Sequence, residues 1–220
     1  MIGVRIPSTP KWAHDTVVNA TVTWNEAQSW YQESEPTQGQ VYSLEESPDG
    51  GAEISFTMPS AYSEIAVGWT TYELAPSSKT ITATHTYLDS AIFSADQSNN
   101  LTARQYAFRL ALHELGRVLG LGSLLDGRDI MDPRSNPSRV HETPVLSTLD
   151  LYALSVLASG YAPNFVTLPG NVSNQFVEAT SFTSTSRTAI PAPEFNGDYS
   201  YVAIIMLAFS AIIIRRRIRG

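Results

Sequence analysis

Residues 113–123 read HELGRVLGLGS, and residues 129–133 read DIMDP. The residues leading into this stretch have helical spacing, because four side chains recur at intervals of three or four on one row: Tyr106, Leu110, His113 and Arg117. Gly120 and Gly122 predict the end of this helix, since glycine readily adopts the left-handed backbone conformation that closes many helices. The stretch is therefore predicted to be the end of a helix followed by a glycine-rich turn.

This stretch resembles the active-site segment of the metzincin zinc peptidases, and their matrixin branch most closely. The family pattern is H-E-x-x-H-x-x-G-x-x-H followed by a methionine turn. The resemblance implies that His113 is the first zinc ligand, Glu114 the general base, Gly120 the turn glycine and Met131 the methionine beneath the metal. It covers roughly residues 10–160. In such peptidases three imidazoles hold zinc, and the glutamate takes a proton from the water that attacks the peptide carbonyl.

Two of the three ligand positions depart from that pattern. The second position holds Arg117 and the third holds Ser123. An arginine side chain stays protonated and has no lone pair for a metal, and serine is a poor zinc ligand. We therefore expect zinc binding to be absent or weak at this site.

Two arrangements could follow from these departures. His113, Asp126 and His141 could form a rebuilt zinc site, since Asp126 lies between the motif and the methionine turn and His141 lies in the loop after that turn. Alternatively, Arg117 could pair with Glu114, three residues earlier on the helix, and supply positive charge without a metal. We favour the metal-free ion pair.

Two further helices flank this segment. The first carries an apolar stripe with Asp15 as its expected N-cap: Val17, Ala20, Trp24, Ala27 and Tyr31. The helix after the methionine turn is expected to be capped by Ser147 with Asp150 and to stop at Gly160. For the helix that carries the motif, Thr102 and Gln105 form a T-x-x-Q capping box.

Alternating segments between the first two helices predict strands at residues 54–58, 65–69 and 80–87. In residues 80–87 the threonines occupy one face, and His85 lies on the other with apolar side chains, as a packed histidine. The pattern of helix, strands and helices predicts an α+β fold. The resemblance implies a metzincin-like mixed, twisted sheet with a first helix, an active-site helix, a methionine turn and a C-terminal helix.

The charge of the chain is divided between two regions. The net charge is −7, yet residues 1–198 carry 10 basic and 21 acidic side chains, and residues 215–220 carry four arginines and no acid. The acidic balance argues against nucleic acid as a partner. The chain has no cysteine, which excludes disulfides, thiolate metal sites and a cysteine nucleophile.

The C-terminal part is expected to anchor the protein in a membrane. Residues 199–214 are uncharged and apolar, and sixteen helical residues span about 24 Å, close to a bilayer core. The positive-inside rule places residues 215–220 in the cytoplasm and residues 1–198 outside, whereas a cytosolic tail-anchored protein would break that rule. Export requires a leader, and residues 1–12 contain no apolar h-region, so we expect a signal peptide outside this sequence.

The tripeptide Pro193, Glu194 and Phe195 precedes this apolar segment. Together with the segment and the arginines, it resembles the PEF-type C-terminal sorting signal of archaeal surface proteins. That resemblance implies processing by a sortase-like membrane enzyme. The expected organisation is a matrixin-like domain at 1–165, a Ser/Thr/Pro-rich stalk at 166–198, a transmembrane segment at 199–214 and a cytoplasmic tail at 215–220.

The sequence thus predicts a cell-surface protein that resembles matrixin-type zinc endopeptidases but is impaired in zinc binding. Such a pseudopeptidase would bind extended peptide along residues 80–87 by strand addition. The alternative is an active zinc metalloendopeptidase with the rebuilt ligand set and Glu114 as base. A third interpretation, an unrelated structural surface protein, must treat the motif as coincidence.

Overall fold

The computed structural model describes residues 1–7, 9–34, 42–57, 67–76, 81–123, 129–132, 144–158 and 176–178. These residues form an α+β fold, as predicted, with three helices: α1 (Lys11–Ser34), α2 (Leu101–Val118) and α3 (Thr148–Ala158). Their strands are β1 (Ile2–Arg5), β2 (Leu44–Glu46), β3 (Ala52–Ser55), β4 (Gly68–Leu74), β5 (Ile81–Leu88), β6 (Val145–Ser147) and β7 (Phe176–Glu178). A short 3₁₀ helix at Ala95–Gln97 precedes α2.

A mixed sheet of five strands in the order β2-β1-β3-β5-β4 forms the centre of the described part. β2, β1, β3 and β5 run parallel, and β4 pairs antiparallel with β5. β4 is therefore an edge strand of this sheet, whereas β5 is paired on both sides. The expected peptide site along residues 80–87 is wrong for residues 84–87, because β3 and β4 pair with β5 on both sides there and leave no free backbone edge for an added strand.

The two faces of β5 are reversed relative to the sequence prediction. Thr84 and Thr86 of β5 are buried, and so is Thr70 of β4. His85 lies on the opposite face, where its Nδ1 is 3.1 Å from Glu53 Oε2 and its Nε2 is 3.2 Å from Glu73 Oε1. The threonine face is buried because α2 packs against it. His85 is thus a half-buried partner of two carboxylates rather than a histidine in an apolar cluster.

The predicted apolar stripe of α1 is confirmed. All five of its members are buried: Val17, Ala20, Trp24, Ala27 and Tyr31. The N-cap prediction is wrong, because α1 begins at Lys11 and Asp15 lies inside it, where its carboxylate accepts from Lys11 Nζ at 2.6 Å. The helix starts a turn earlier because the Pro10 carbonyl accepts from the amides of Ala13 and His14.

The helix that carries the motif ends as predicted but begins differently. Its N-cap is Asn100, whose side-chain oxygen accepts from the Ala103 amide at 3.2 Å, so the expected capping box is wrong. At the other end Gly120 has φ of +96°, a conformation that glycine adopts without a Cβ clash. The Gly120 and Leu121 amides donate to the Arg117 and Gly116 carbonyls, which is the Schellman arrangement.

The start of α3 agrees with the prediction, since Ser147 Oγ accepts from the Asp150 amide at 3.1 Å. Its expected stop at Gly160 lies outside the described residues. So do the anchor segment, the basic tail, the sorting motif at 193–195 and the expected stalk at 166–198, apart from Phe176–Glu178, which form β7 and pair antiparallel with β6. Within the described ranges, no helix combines the length and apolar character needed to cross a membrane.

Candidate functional site

The three positions at which the motif predicts metal ligands lie together at the C-terminal end of α2. Arg117 follows His113 by one helical turn, and its Nε donates to His113 Nε2 at 3.1 Å. Its Nη2 donates to Ser123 Oγ at 2.8 Å, because the turn at Gly120 brings the chain back towards the helix. The guanidinium therefore connects the other two positions.

The hydrogen bonds of His113 determine its tautomer. Its Nδ1 is 2.7 Å from the carbonyl oxygen of Ile130, which can only accept, so Nδ1 carries the proton. Nε2 then has the lone pair and accepts from Arg117. This is the tautomer that a metal-ligating histidine needs, but here the Nε2 lone pair already accepts a hydrogen bond from the Nε–H of Arg117.

His113 is a neutral imidazole at physiological pH. Burial lowers its pKa to about 4, and the positive charges of Arg117 and Arg109 act in the same direction. The hydrogen bond to Ile130 and the negative charge of Asp132 oppose this shift without reversing it. The positive charge of the site therefore belongs to Arg117 and not to His113.

Glu114 is directed towards β4 and takes no part in this chain of hydrogen bonds. It is 4% exposed, and its Oε2 accepts from Thr70 Oγ1 of β4 at 2.6 Å. Burial raises the pKa of Glu114, while the Thr70 hydrogen bond and the charge of Arg117 lower it. The expected Glu114–Arg117 ion pair is wrong: among the described residues no pair within 4.0 Å joins these two side chains.

Met131 forms a buried floor beneath the last turns of α2. It is 0% exposed and follows Ile130, whose carbonyl holds His113. A Cβ added at Gly116 would lie 2.5 Å from Met131 Sδ and 2.9 Å from Trp24 Cζ2. Gly116 is therefore required for this close approach, and the motif gave no indication of its role.

The segment that carries Met131 is joined to α3 by two buried carboxyl groups. Asp129 Oδ1 accepts from the Met131 amide at 2.6 Å. Asp150 of α3 is also buried, and burial together with the charge and hydrogen bond of Asp129 raises its pKa well above the ordinary value. The raised pKa favours the protonated, uncharged form of the Asp150 carboxyl beside Asp129, and the two side chains link the floor of the site to the last helix.

The edge strand β4 runs beside the site and supplies residues that the motif did not indicate. Gly68 lies against Glu114, since a Cβ there would be 2.8 Å from its Oε1. Thr70 binds Glu114, and the Tyr72 hydroxyl donates to the Arg117 carbonyl oxygen at 3.0 Å. The run of threonines in β4 and β5 was the available signal, because buried hydroxyls require polar partners.

These side chains do not fit a catalytic zinc ion. His113 is the only neutral nitrogen ligand among the three positions, its lone pair is occupied, and the adjacent guanidinium would repel a cation. No cluster of three histidine or carboxylate side chains that could hold a metal occurs in the described ranges. The expected substitutes, Asp126 and His141, lie outside them. What the described site offers is a cation with hydrogen-bond donors beside an edge strand.

Comparison of the chain with family models, with curated proteins and with solved structures gives no match. The function must therefore be argued from the geometry of this site.

Proposed function

We propose that the chain is a pseudopeptidase of metzincin-like fold that binds extended peptide and works without zinc. The observation that carries this proposal is the position of Arg117, which donates to both His113 Nε2 and Ser123 Oγ. In a zinc peptidase of this pattern the corresponding three side chains all turn towards one cation. Here a guanidinium supplies the cation from within the chain.

The order of the elements supports the metzincin-like assignment. A long first helix, a mixed sheet with an antiparallel edge strand, a helix with the HELG segment, a buried methionine and a last helix follow in sequence. Gly120 ends the motif helix with a positive φ, and Met131 lies under it. Each of these features matches what the resemblance implies about the fold.

The environment of Glu114 argues against hydrolysis. A general base must reach the proton of a water molecule, whereas the Glu114 carboxylate is buried and accepts from Thr70. Arg117 can attract a carbonyl oxygen but cannot generate hydroxide as a metal ion does. We therefore assign these side chains to binding and to the structure of the site.

Peptide would add to β4 rather than to β5. β4 is seven residues long and lies at one edge of the sheet beside α2. Trp69, Tyr72 and Leu74 are 37–44% exposed on this strand and offer apolar contacts to an added chain. The opposite edge strand, β2, has only three residues and carries Glu45 and Glu46, which suits it less for pairing.

The experiment uses the full chain in mild detergent with a mixture of extended peptides. Peptides should shift the NMR signals of the β4 amides but not those of β2, and mass spectrometry should find them intact after incubation with zinc. Cleavage that disappears in Glu114→Gln would overturn the proposal in favour of an active zinc endopeptidase. Peptides that shift neither strand would overturn the binding function.

The proposed location is the outer face of the cell membrane. It rests on the apolar segment 199–214, the four terminal arginines and the Pro193-Glu194-Phe195 motif. Membrane fractionation followed by mass spectrometry of the C-terminal peptide tests it. Loss of the segment after Phe195 in a surface fraction would support sortase-like processing, whereas a soluble intact chain would contradict the anchor.

A further inference from the structure

The guanidinium of Arg117 has hydrogen-bond donors to spare. An arginine side chain has five N–H groups, and two of them are used by His113 and Ser123. Within the described part of the chain, no carboxylate oxygen lies within 4.0 Å of Arg117. The Tyr72 hydroxyl is a further hydrogen-bond neighbour of this side chain, and among the described residues no carboxylate takes up the remaining N–H groups. Arg117 is half-buried, so an external group can reach it.

The neighbours of Arg117 do not neutralise most of its positive charge. His113 is neutral and Ser123 is uncharged, while the Glu114 carboxylate is directed towards Thr70. Both partners also fix the guanidinium, because one holds Nε and the other holds Nη2. A fixed, partly buried guanidinium with remaining N–H donors is suited to a planar carboxylate.

Arg117 also lies close to the strand that would receive a peptide. The Tyr72 hydroxyl of β4 donates to the Arg117 carbonyl oxygen at 3.0 Å, which joins the strand to the end of α2. Burial raises the pKa of this phenol, so it stays protonated and keeps donating. A peptide added to β4 would therefore pass beside the free face of the guanidinium.

We propose that Arg117 binds a carboxylate of the peptide, so that the site selects peptides by a negative group instead of cutting them at a metal. This inference rests on the proposed peptide binding at β4 and adds the chemical class of its ligand. The carboxylate could be the peptide C-terminus or an acidic side chain. The two sources share one chemistry and are separated by experiment.

The test compares three peptides with the full chain in mild detergent. They are acetyl-Thr-Val-Thr-Ala-Thr with a free C-terminus, the same peptide with a C-terminal amide, and the amide with glutamate in the central position. Affinity is measured from the shifts of the β4 amide signals, and contact from the Arg117 Nε–H signal. A charge-assisted hydrogen bond should make at least one carboxylate peptide about tenfold or more tighter than the plain amide.

Variants identify Arg117 as the source of this preference. Arg117→Gln should remove it, and Arg117→Lys, which keeps the charge but loses the fork, should retain only part of it. Arg104→Gln is the matched control, because Arg104 is an exposed arginine on the same helix. It should bind all three peptides as the wild type does.

The outcomes separate the two proposals. Equal affinities for all three peptides, with shifted β4 signals and an unchanged Arg117 signal, would overturn the carboxylate site and leave peptide binding intact. Binding of none of the peptides would overturn both. A preference for the free C-terminus alone or for the glutamate alone supports the inference and identifies the source of the carboxylate.

Discussion

His113 should make the protein less stable as the pH falls from 6.5 towards 4. Burial lowers its pKa in the folded protein to about 4, whereas an unfolded histidine titrates near 6.5. Between these two values the unfolded chain binds a proton that the folded chain does not, so acid favours unfolding. At pH 4 this difference amounts to about 3 kcal/mol of unfolding free energy, and above pH 6.5 it vanishes.

The variant His113→Asn isolates this contribution. Its amide nitrogen can replace Nδ1–H as the donor to the Ile130 carbonyl, but it cannot take up a proton. Urea unfolding of both proteins at about pH 7.5 and about pH 4 gives the loss of unfolding free energy on acidification. We expect this loss to be about 3 kcal/mol larger in the wild type than in the variant.

The difference between the wild type and His113→Asn cancels the contributions of the other titrating groups. The raised pKa values of Glu114 and Asp150 act in the opposite sense, because each favours the folded state at low pH and loses that contribution as the pH rises. Both carboxyls are present in both proteins, so their effects cancel in the difference. Equal losses in the wild type and the variant would refute a buried, neutral His113.

Three substitutions test the surroundings of the site by thermal or urea unfolding. Gly116→Ala should cost about 1–3 kcal/mol, because its Cβ would meet Met131 Sδ at 2.5 Å, and an unchanged midpoint would contradict this contact. Thr70→Val should cost about 1–3 kcal/mol of unfolding free energy, because it leaves the buried Glu114 carboxyl without its hydrogen-bond donor. If Thr70 acted only through its shape, adding Glu114→Gln to this variant would restore none of the lost stability. Asn100→Ala should cost about 1 kcal/mol by removing the N-cap of α2, whereas Asn100→Asp, which keeps the acceptor oxygen, should not.

The helices could be predicted from the sequence because their signals are local. The stripe from Val17 to Tyr31 repeats with the helical period, and all its members are buried. Gly120 and Ser147 mark ends whose geometry depends on a few neighbouring residues. The caps at Asp15 and Thr102 were wrong because a nearby alternative, Pro10 or Asn100, provides the first acceptor.

The strand faces could not be predicted in the same way. Alternation shows that a strand has two faces, but hydrophobicity alone assigned the apolar face of β5 to the interior. The threonine face is buried instead because Glu114 of α2 requires a donor, and Thr70 with its neighbour Thr86 supplies a hydroxyl pair. That requirement links Thr70 and Glu114, which are 44 positions apart, and cannot be recognised from either segment alone.

The partners of Arg117 were likewise beyond local reasoning. Helical spacing places Glu114 and His113 at similar distances from Arg117, and an ion pair with Glu114 was the stronger expectation. Thr70 holds Glu114 away, so the guanidinium turns to His113 and Ser123. The motif correctly indicated that positions 113, 117 and 123 lie together, because the turn at Gly120 returns the chain to the helix.

Zinc titration of the wild type and of the double variant Arg117→His/Ser123→His tests the central claim most directly. Isothermal calorimetry on the full chain, with cobalt spectra as a check of coordination, compares the two proteins. We predict one equivalent of zinc on the double variant, held with His113, and no binding by the wild type. One equivalent bound by the wild type and lost in His113→Ala would contradict the metal-free site, and no binding by a folded double variant would contradict the metzincin-like geometry.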